Sequence, residues 1–190
     1  GVELNTVIRK YGLSKEFPAD VEREAISFGD EVPESAWEDA GRELFFNTRV
    51  FTIDGADAKD FDDAVSIEPT AQGWRLGVHI ADVSHYVKPG TALDEEAKER
   101  CNSTYFPGEC LPMLPPALSE NLCSLKPDVE RFAATVFMDF DKSGELVNYR
   151  FCRSVIQSKK RFTYKEALQV IEGKSKSPHK KLLLLLVELC

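Results

Sequence analysis

The run TIDGADAKDFDDAVSIE, residues 52–68, sets five aspartates (Asp54, Asp57, Asp60, Asp62 and Asp63) against the single Lys59 within residues 54–63. The acidic run is bounded by two short apolar, β-branched segments. Residues 49–53 and 64–68 read as strands, so the aspartates occupy a loop tethered at both ends. That reading makes the chain a sheet protein with an acidic loop at one sheet end. Carboxylates so close together must stay fully solvated, hold protons, or be neutralised by bound cations. Tethering favours cations, because it limits the positions the oxygens can take.

Hard carboxylate oxygens suit Mg²⁺ or Mn²⁺. A pair of such ions can clamp the attacking and leaving oxygens of a phosphodiester. Asp60 and Asp62 flank apolar Phe61, so extended backbone puts both carboxylates on one side and the ring on the other, towards a core. Asp63 then points away unless the chain bends. Three other readings compete. The loop could be an exposed acidic face that binds nothing, since charge runs are usually solvated. It could be a non-enzymatic module that binds Ca²⁺ or a basic protein. An Asp-Phe-Asp pair could also serve a phosphatase-like hydrolase, although Ala58 and Lys59 precede it where a buried strand is expected. An EF-hand is excluded, because counting from Asp60 places Ala64 and Val65 where a ligand and a glycine are required.

Outward from the loop, residues 69–73 read as a turn and residues 74–83 as a strand pairing back with 64–68. Residues 93–101 read as a short charged helix. An irregular Pro-rich loop follows, opened by Tyr105 and ending near Pro116; long loops of this kind usually carry function. Tyr105 is a candidate stacking platform for an unpaired base. Residues 132–141 and 145–154 alternate around Lys142-Ser143-Gly144 and predict a hairpin. Thr163 and Glu166 form a capping box for a helix reaching about Glu172. Lys159, Lys160 and Arg161 before it read as a solvated turn. His79, His85 and Asp82 read as structural residues, for lack of a partner group suited to acid-base work. On the N-terminal side, Leu4, Val7, Ile8 and Tyr11 share one helical face ending near Gly12. Further helices are expected at about 18–28 and after Pro33, through Trp37.

The 190 residues are 43% hydrophobic and 29% charged, the profile of an ordinary globular chain. The net charge of −8 argues against a nucleic-acid partner unless bound cations carry the contact. Five cysteines, Cys101, Cys110, Cys123, Cys152 and Cys190, show no zinc spacing and read as reduced thiols, consistent with a cytoplasmic protein. The apolar run at 182–187 is too short to span a membrane.

The acidic run resembles the signature of the RNase II/RNase R family of 3′-to-5′ exoribonucleases, in the form found in its bacterial RNase R branch. The resemblance extends to VHIADVSHYV at 78–87, NSTYFPGECLPMLPPALSENLCSL at 102–125 and RFTY at 161–164, in the family's order. It implies an α/β chain of the α+β type: a mixed, largely antiparallel sheet with flanking helices. Residues 1–45 would be a helical connector and 46–190 the N-terminal part of an RNB catalytic domain. It further implies hydrolysis of single-stranded RNA from its 3′ end to nucleoside 5′-monophosphates by a monomeric protein. Asp54, Asp60, Asp62 and Asp63 would hold Mg²⁺, or Mn²⁺ as a substitute, with Asp62 tied most closely to cleavage. Tyr105 would pack against the terminal nucleotide. The family's later arginine and glutamate motifs have no counterpart here, so the expectation is a truncated catalytic domain, inactive alone.

Overall fold

The computed structural model describes residues 2–37 and 41–189. Helices α1 (Val2–Lys10) and α2 (Ala19–Ser27) and a 3₁₀ turn (Glu34–Ala36) precede the sheet. Helix α1 ends as the sequence predicts: Gly12, at φ +65°, lets its own N–H reach Arg9 O while Leu13 N–H reaches Ile8 O. The expected contribution of Leu4 to its apolar face lies outside the described residues, as does Cys190. Strand β1 (Arg42–Asp54) leads into the acidic loop, and β2 (Asp63–Pro69) and β3 (Gly73–Ala81) form the expected antiparallel pair. A short helix α3 (Val83–Tyr86) and helix α4 (Ala92–Arg100), capped by the Thr91 hydroxyl on Asp94 N–H, come next.

Two stretches differ from the sequence expectation. The Pro-rich loop is not wholly irregular: it opens with a small hairpin of β4 (Thr104–Phe106) and β5 (Glu109–Leu111). Its Pro107-Gly108 turn is made possible by Gly108 at φ +80°. Lys159, Lys160 and Arg161 do not form a solvated turn either. They belong to β7 (Leu146–Thr163), which outruns its hairpin partner β6 (Glu130–Asp141) and continues along β1.

That continuation closes the sheet. The order β1-β2-β3-β6-β7 is a closed barrel, antiparallel at every seam except the parallel β7–β1 join. The fold is therefore mixed α/β with a mostly antiparallel sheet and flanking helices. Pairs run from Arg42↔Arg153 to Asp54↔Thr163, interrupted where residues 46–49 of β1 face Gln157 alone. Helix α5 (Tyr164–Ile171) starts at the Thr163–Glu166 capping box, and α6 (Lys180–Leu189) packs its Leu182 and Leu183 inward. Among the described residues no helix is long and apolar enough to cross a membrane.

Two apolar clusters hold the molecule together. The larger joins one side of the barrel (Val50, Phe132, Val155, Ile156) and Phe61 of the acidic loop to α2, α4 and a π-helical turn at Leu118–Leu122. The smaller packs Phe51, Ile67 and Phe162 against α5 and α6. The acidic loop emerges over the first cluster, with Phe61 as its buried root.

Candidate active site

The acidic loop is the link between β1 and β2. Asp54 ends one strand, Asp63 begins the next, and the residues between them turn at Gly55, whose carbonyl accepts from Ala58 N–H at 3.2 Å. The alternation read from the sequence governs the side chains. Phe61 is 8% exposed in the core, and Asp60 and Asp62 both face a cleft of about 600 Å³. The cleft's other walls are mostly apolar: Ile80 near the end of β3, Val83 and Val87 after it, and Met113 and Leu114 beyond the small hairpin. Asp54 and Asp63 do not line the cleft, but their charges act on Asp62.

Tyr105 stands at the cleft's edge, 65% exposed, and its hydroxyl donates to Asp60 Oδ2 at 2.7 Å. The carboxylate holds the phenol proton, pushing the Tyr105 pKa up to about 12. One residue thereby fixes a carboxylate while presenting a free ring face.

The aspartates carry the electrostatic signature of an uncompensated cluster. Asp62 is held above the usual carboxylate range by desolvation at the cleft wall, then by the charges of Asp60, Asp63 and Asp54. Asp54 is raised as well, by desolvation first and by Asp63 and Asp60 beyond that, against the opposing pull of the Thr52 hydroxyl and of Arg161. Asp54 Oδ2 and Thr52 Oγ1, two residues earlier along the strand, are both buried and interact without a hydrogen bond of good geometry. Among the described residues no three Asp, Glu, His or Cys side chains already stand as a ready coordination sphere. The donor set nonetheless fits a hard divalent cation: oxygen ligands only, mutually repelling, one of them buried without a well-formed hydrogen bond.

Every other stretch named in the sequence sends a bond into this loop. Ala81 N–H, from VHIAD, donates to Asp62 O at 2.9 Å. Leu125 N–H donates to Phe61 O at 2.9 Å. Ser124 Oγ accepts from Phe61 N–H at 3.0 Å and donates to Lys59 O at 2.6 Å. From β7, Arg161 Nη2 donates to Gly55 O at 2.5 Å and to Ala56 O at 2.9 Å. Residue-by-residue reading of the sequence missed Ser124 and Arg161. The signal was present only as their membership of the longer motifs NLCSL and RFTY.

The residues read as structural have that place. His79 is fully buried inside the barrel between Ser66 Oγ (3.0 Å) and Thr135 Oγ1 (2.9 Å), and burial lowers its pKa to about 4. Asp82 pairs with buried Arg42 at 2.6 Å, tying the end of β3 to the start of β1. His85 Nδ1 lies 3.4 Å from the same guanidinium.

The RNB domain family matches residues 42–189. Ribonuclease R of Chlamydia muridarum (strain MoPn / Nigg) is 52% identical over 181 residues, covering 95% of this chain and 26% of that protein. Mycoplasma genitalium RNase R in complex with ribose methylated single-stranded RNA superposes with a TM-score of 0.90 at 28% identity, covering 99% of this chain and 29% of that one. The same protein in complex with double-stranded RNA gives 0.89 at 28% identity, covering 99% and 33%. The chain thus spans about a quarter of the length of that curated relative. With the barrel, the acidic loop and its motifs all inside the matched span, the chain belongs to the RNB domain family of exoribonucleases.

Proposed function

We propose that this chain supplies the carboxylate half of the active site of a hydrolytic 3′-to-5′ exoribonuclease acting on single-stranded RNA and releasing nucleoside 5′-monophosphates. The observation that carries the reading is the mutual repulsion of Asp54, Asp60, Asp62 and Asp63 beside an apolar cleft edged by Tyr105. These four aspartates would hold Mg²⁺, with Mn²⁺ as a substitute. Bound there, the cation supplies charge neutralisation at the scissile phosphate and a more acidic water.

The chain's own residues do the rest. Asp60 is held by the Tyr105 hydroxyl, so its remaining oxygen is directed by a fixed partner. The exposed Tyr105 ring offers a stacking surface to an unpaired terminal base, a contact that every base can make. The apolar walls formed by Val83, Val87, Met113 and Leu114 limit water around a nucleotide lying in the cleft. Asp62 combines a cleft position with charge contacts to all three other aspartates, which makes it the residue closest to the cleavage step. The similarity of the chain to RNase R structures with single- and double-stranded RNA supports an RNA substrate.

The test is degradation of a uniformly labelled single-stranded RNA by the full-length protein with Mg²⁺, with products separated by chromatography. Nucleoside 5′-monophosphates are expected, and Asp62→Asn should lower the rate by roughly 10²-fold or more, the scale of losing transition-state electrostatics. Products carrying a 3′-phosphate, or an Asp62→Asn variant at full rate, would refute the reading.

A further inference from the structure

We infer that Ser124 and Arg161 are positioning residues that set the spacing of the aspartates, holding the acidic loop from its two sides; the inference rests on the function proposed above. Between Asp54 and Asp60 the chain includes Gly55 and has no regular strand pairing, so its backbone needs external partners to take one conformation. Arg161 grips the front of the loop through two successive carbonyls, those of Gly55 and Ala56, directly after Asp54. Its guanidinium carbon lies 5.5 Å from the centre of the Phe61 ring, so the same side chain spans from the loop's first turn to its buried root.

Ser124 grips the back. Its hydroxyl is at once a donor to Lys59 O and an acceptor from Phe61 N–H, and these two backbone groups bracket Asp60. A small hydroxyl fills both roles in that space: alanine offers neither bond, whereas threonine keeps the hydroxyl. Ser124 is itself fully buried, and its carbonyl accepts from Arg131 Nε at 3.1 Å, a side chain 3% exposed that also donates to Asn121 O at 2.9 Å. The grip on Asp60 is therefore anchored in the core. Neither Ser124 nor Arg161 lines the cleft, so both act through the backbone of the carboxylates.

Groups that orient ligands without touching the ion typically change metal affinity by about 10–100-fold when removed. The experiment measures Mn²⁺ binding by calorimetry, and the Mg²⁺ dependence of RNA degradation, in the full-length protein and in Ser124→Ala, Ser124→Thr, Arg161→Met and Arg161→Lys. Ser124→Ala and Arg161→Met should weaken Mn²⁺ binding about tenfold or more and raise the half-maximal Mg²⁺ concentration to match, with kcat largely recovered at saturating Mg²⁺. Arg161→Lys should stay near wild type in both, and Ser124→Thr, which keeps the hydroxyl, should bind Mn²⁺ more tightly than Ser124→Ala. If Ser124→Ala does not fold, the Arg161 pair carries the test alone, since that side chain lies outside the barrel core. Wild-type Mn²⁺ affinity in Arg161→Met, whatever its melting temperature, overturns the inference while leaving the proposed function intact. A wild-type protein that takes up no Mn²⁺ and degrades no RNA overturns both.

Discussion

At the scale of single residues, the carboxylates make a prediction that a passive acidic surface would not. The folded-state pKa of Asp62 is raised, so its contribution to stability is full below the unfolded value and is lost as pH rises through the folded value. At neutral pH and without metal its charge is a net cost. Asp62→Asn should therefore raise the metal-free stability by about a few tenths of a kcal/mol for so exposed a group, and the melting temperature with it, while abolishing the upward shift produced by millimolar Mn²⁺. Thermal unfolding of the two proteins with and without Mn²⁺ checks both signs, and an unchanged Mn²⁺ shift would place the ion elsewhere. Tyr105 separates into its two roles by substitution. Tyr105→Phe keeps the ring and loses the bond to Asp60; Tyr105→Ala loses both. The expected order of RNA turnover in full-length protein is wild type, then Phe, then Ala, with longer end products in Ala. These residues were legible in the sequence, because charge density and the alternation around Phe61 are local properties. Ser124 was not: a serine in a leucine-rich run announces nothing until its two backbone partners, more than sixty residues away, are seen.

At the scale of elements, a polar line crosses the apolar barrel from β2 through β3 and β6 to β7. Ser66, His79, Thr135 and Ser154 are linked in series, ending with Thr135 Oγ1 and Ser154 Oγ at 2.7 Å. Gly77 keeps the space open: a Cβ there would collide with Ser66 Oγ and press on His79 Nε2 and the Phe137 ring. Gly77→Ala should cost about 1–3 kcal/mol in chemical denaturation, the usual range for overpacking. His79 is buried neutral, with a pKa lowered to about 4, so its contribution is complete above its unfolded value and is lost as pH falls from about 6.5 towards 4. Stability should decline by up to roughly 3 kcal/mol across that window. A His79→Gln variant should be less stable at neutral pH but show a flatter slope there, and an unchanged slope would assign the titration to another group. The β6–β7 hairpin and the α5 cap were readable in advance, since the Lys142-Ser143-Gly144 turn and the Thr163–Glu166 box are local in the sequence. The fate of Lys159, Lys160 and Arg161 was not, because three cations in a row look solvated until a neighbouring strand is known.

At the scale of the whole molecule, the two apolar clusters divide the labour. The cluster around Phe51, α5 and α6 does not include Phe61, the buried root of the acidic loop. Leu183, 1% exposed in that cluster, should cost about 2–5 kcal/mol on replacement by alanine, with Mn²⁺ affinity unchanged in whatever fraction is folded. Denaturant melts paired with calorimetry separate the two effects. The barrel was the least legible feature of all. Antiparallel neighbours announce themselves through short turns, but the parallel seam of β1 and β7 joins segments about a hundred residues apart and leaves no mark in either.

That seam also sets a timetable. Arg161 reaches carbonyls 106 and 105 residues upstream, so the acidic loop is synthesised early and remains without its front grip until nearly the whole barrel has been made. During translation the aspartates would emerge first as an unorganised, mutually repelling stretch, and the cation site would come into being as a late event of folding rather than a seed for it. Such long-range pairing places the chain among slow folders, with formation expected in milliseconds to seconds. Ribosome-bound chains stalled after residue 150 should not protect the loop from protease in the presence of Mn²⁺, whereas chains long enough to expose β7 should. The proposed cleavage centre would thus be unable to assemble before its scaffold is closed.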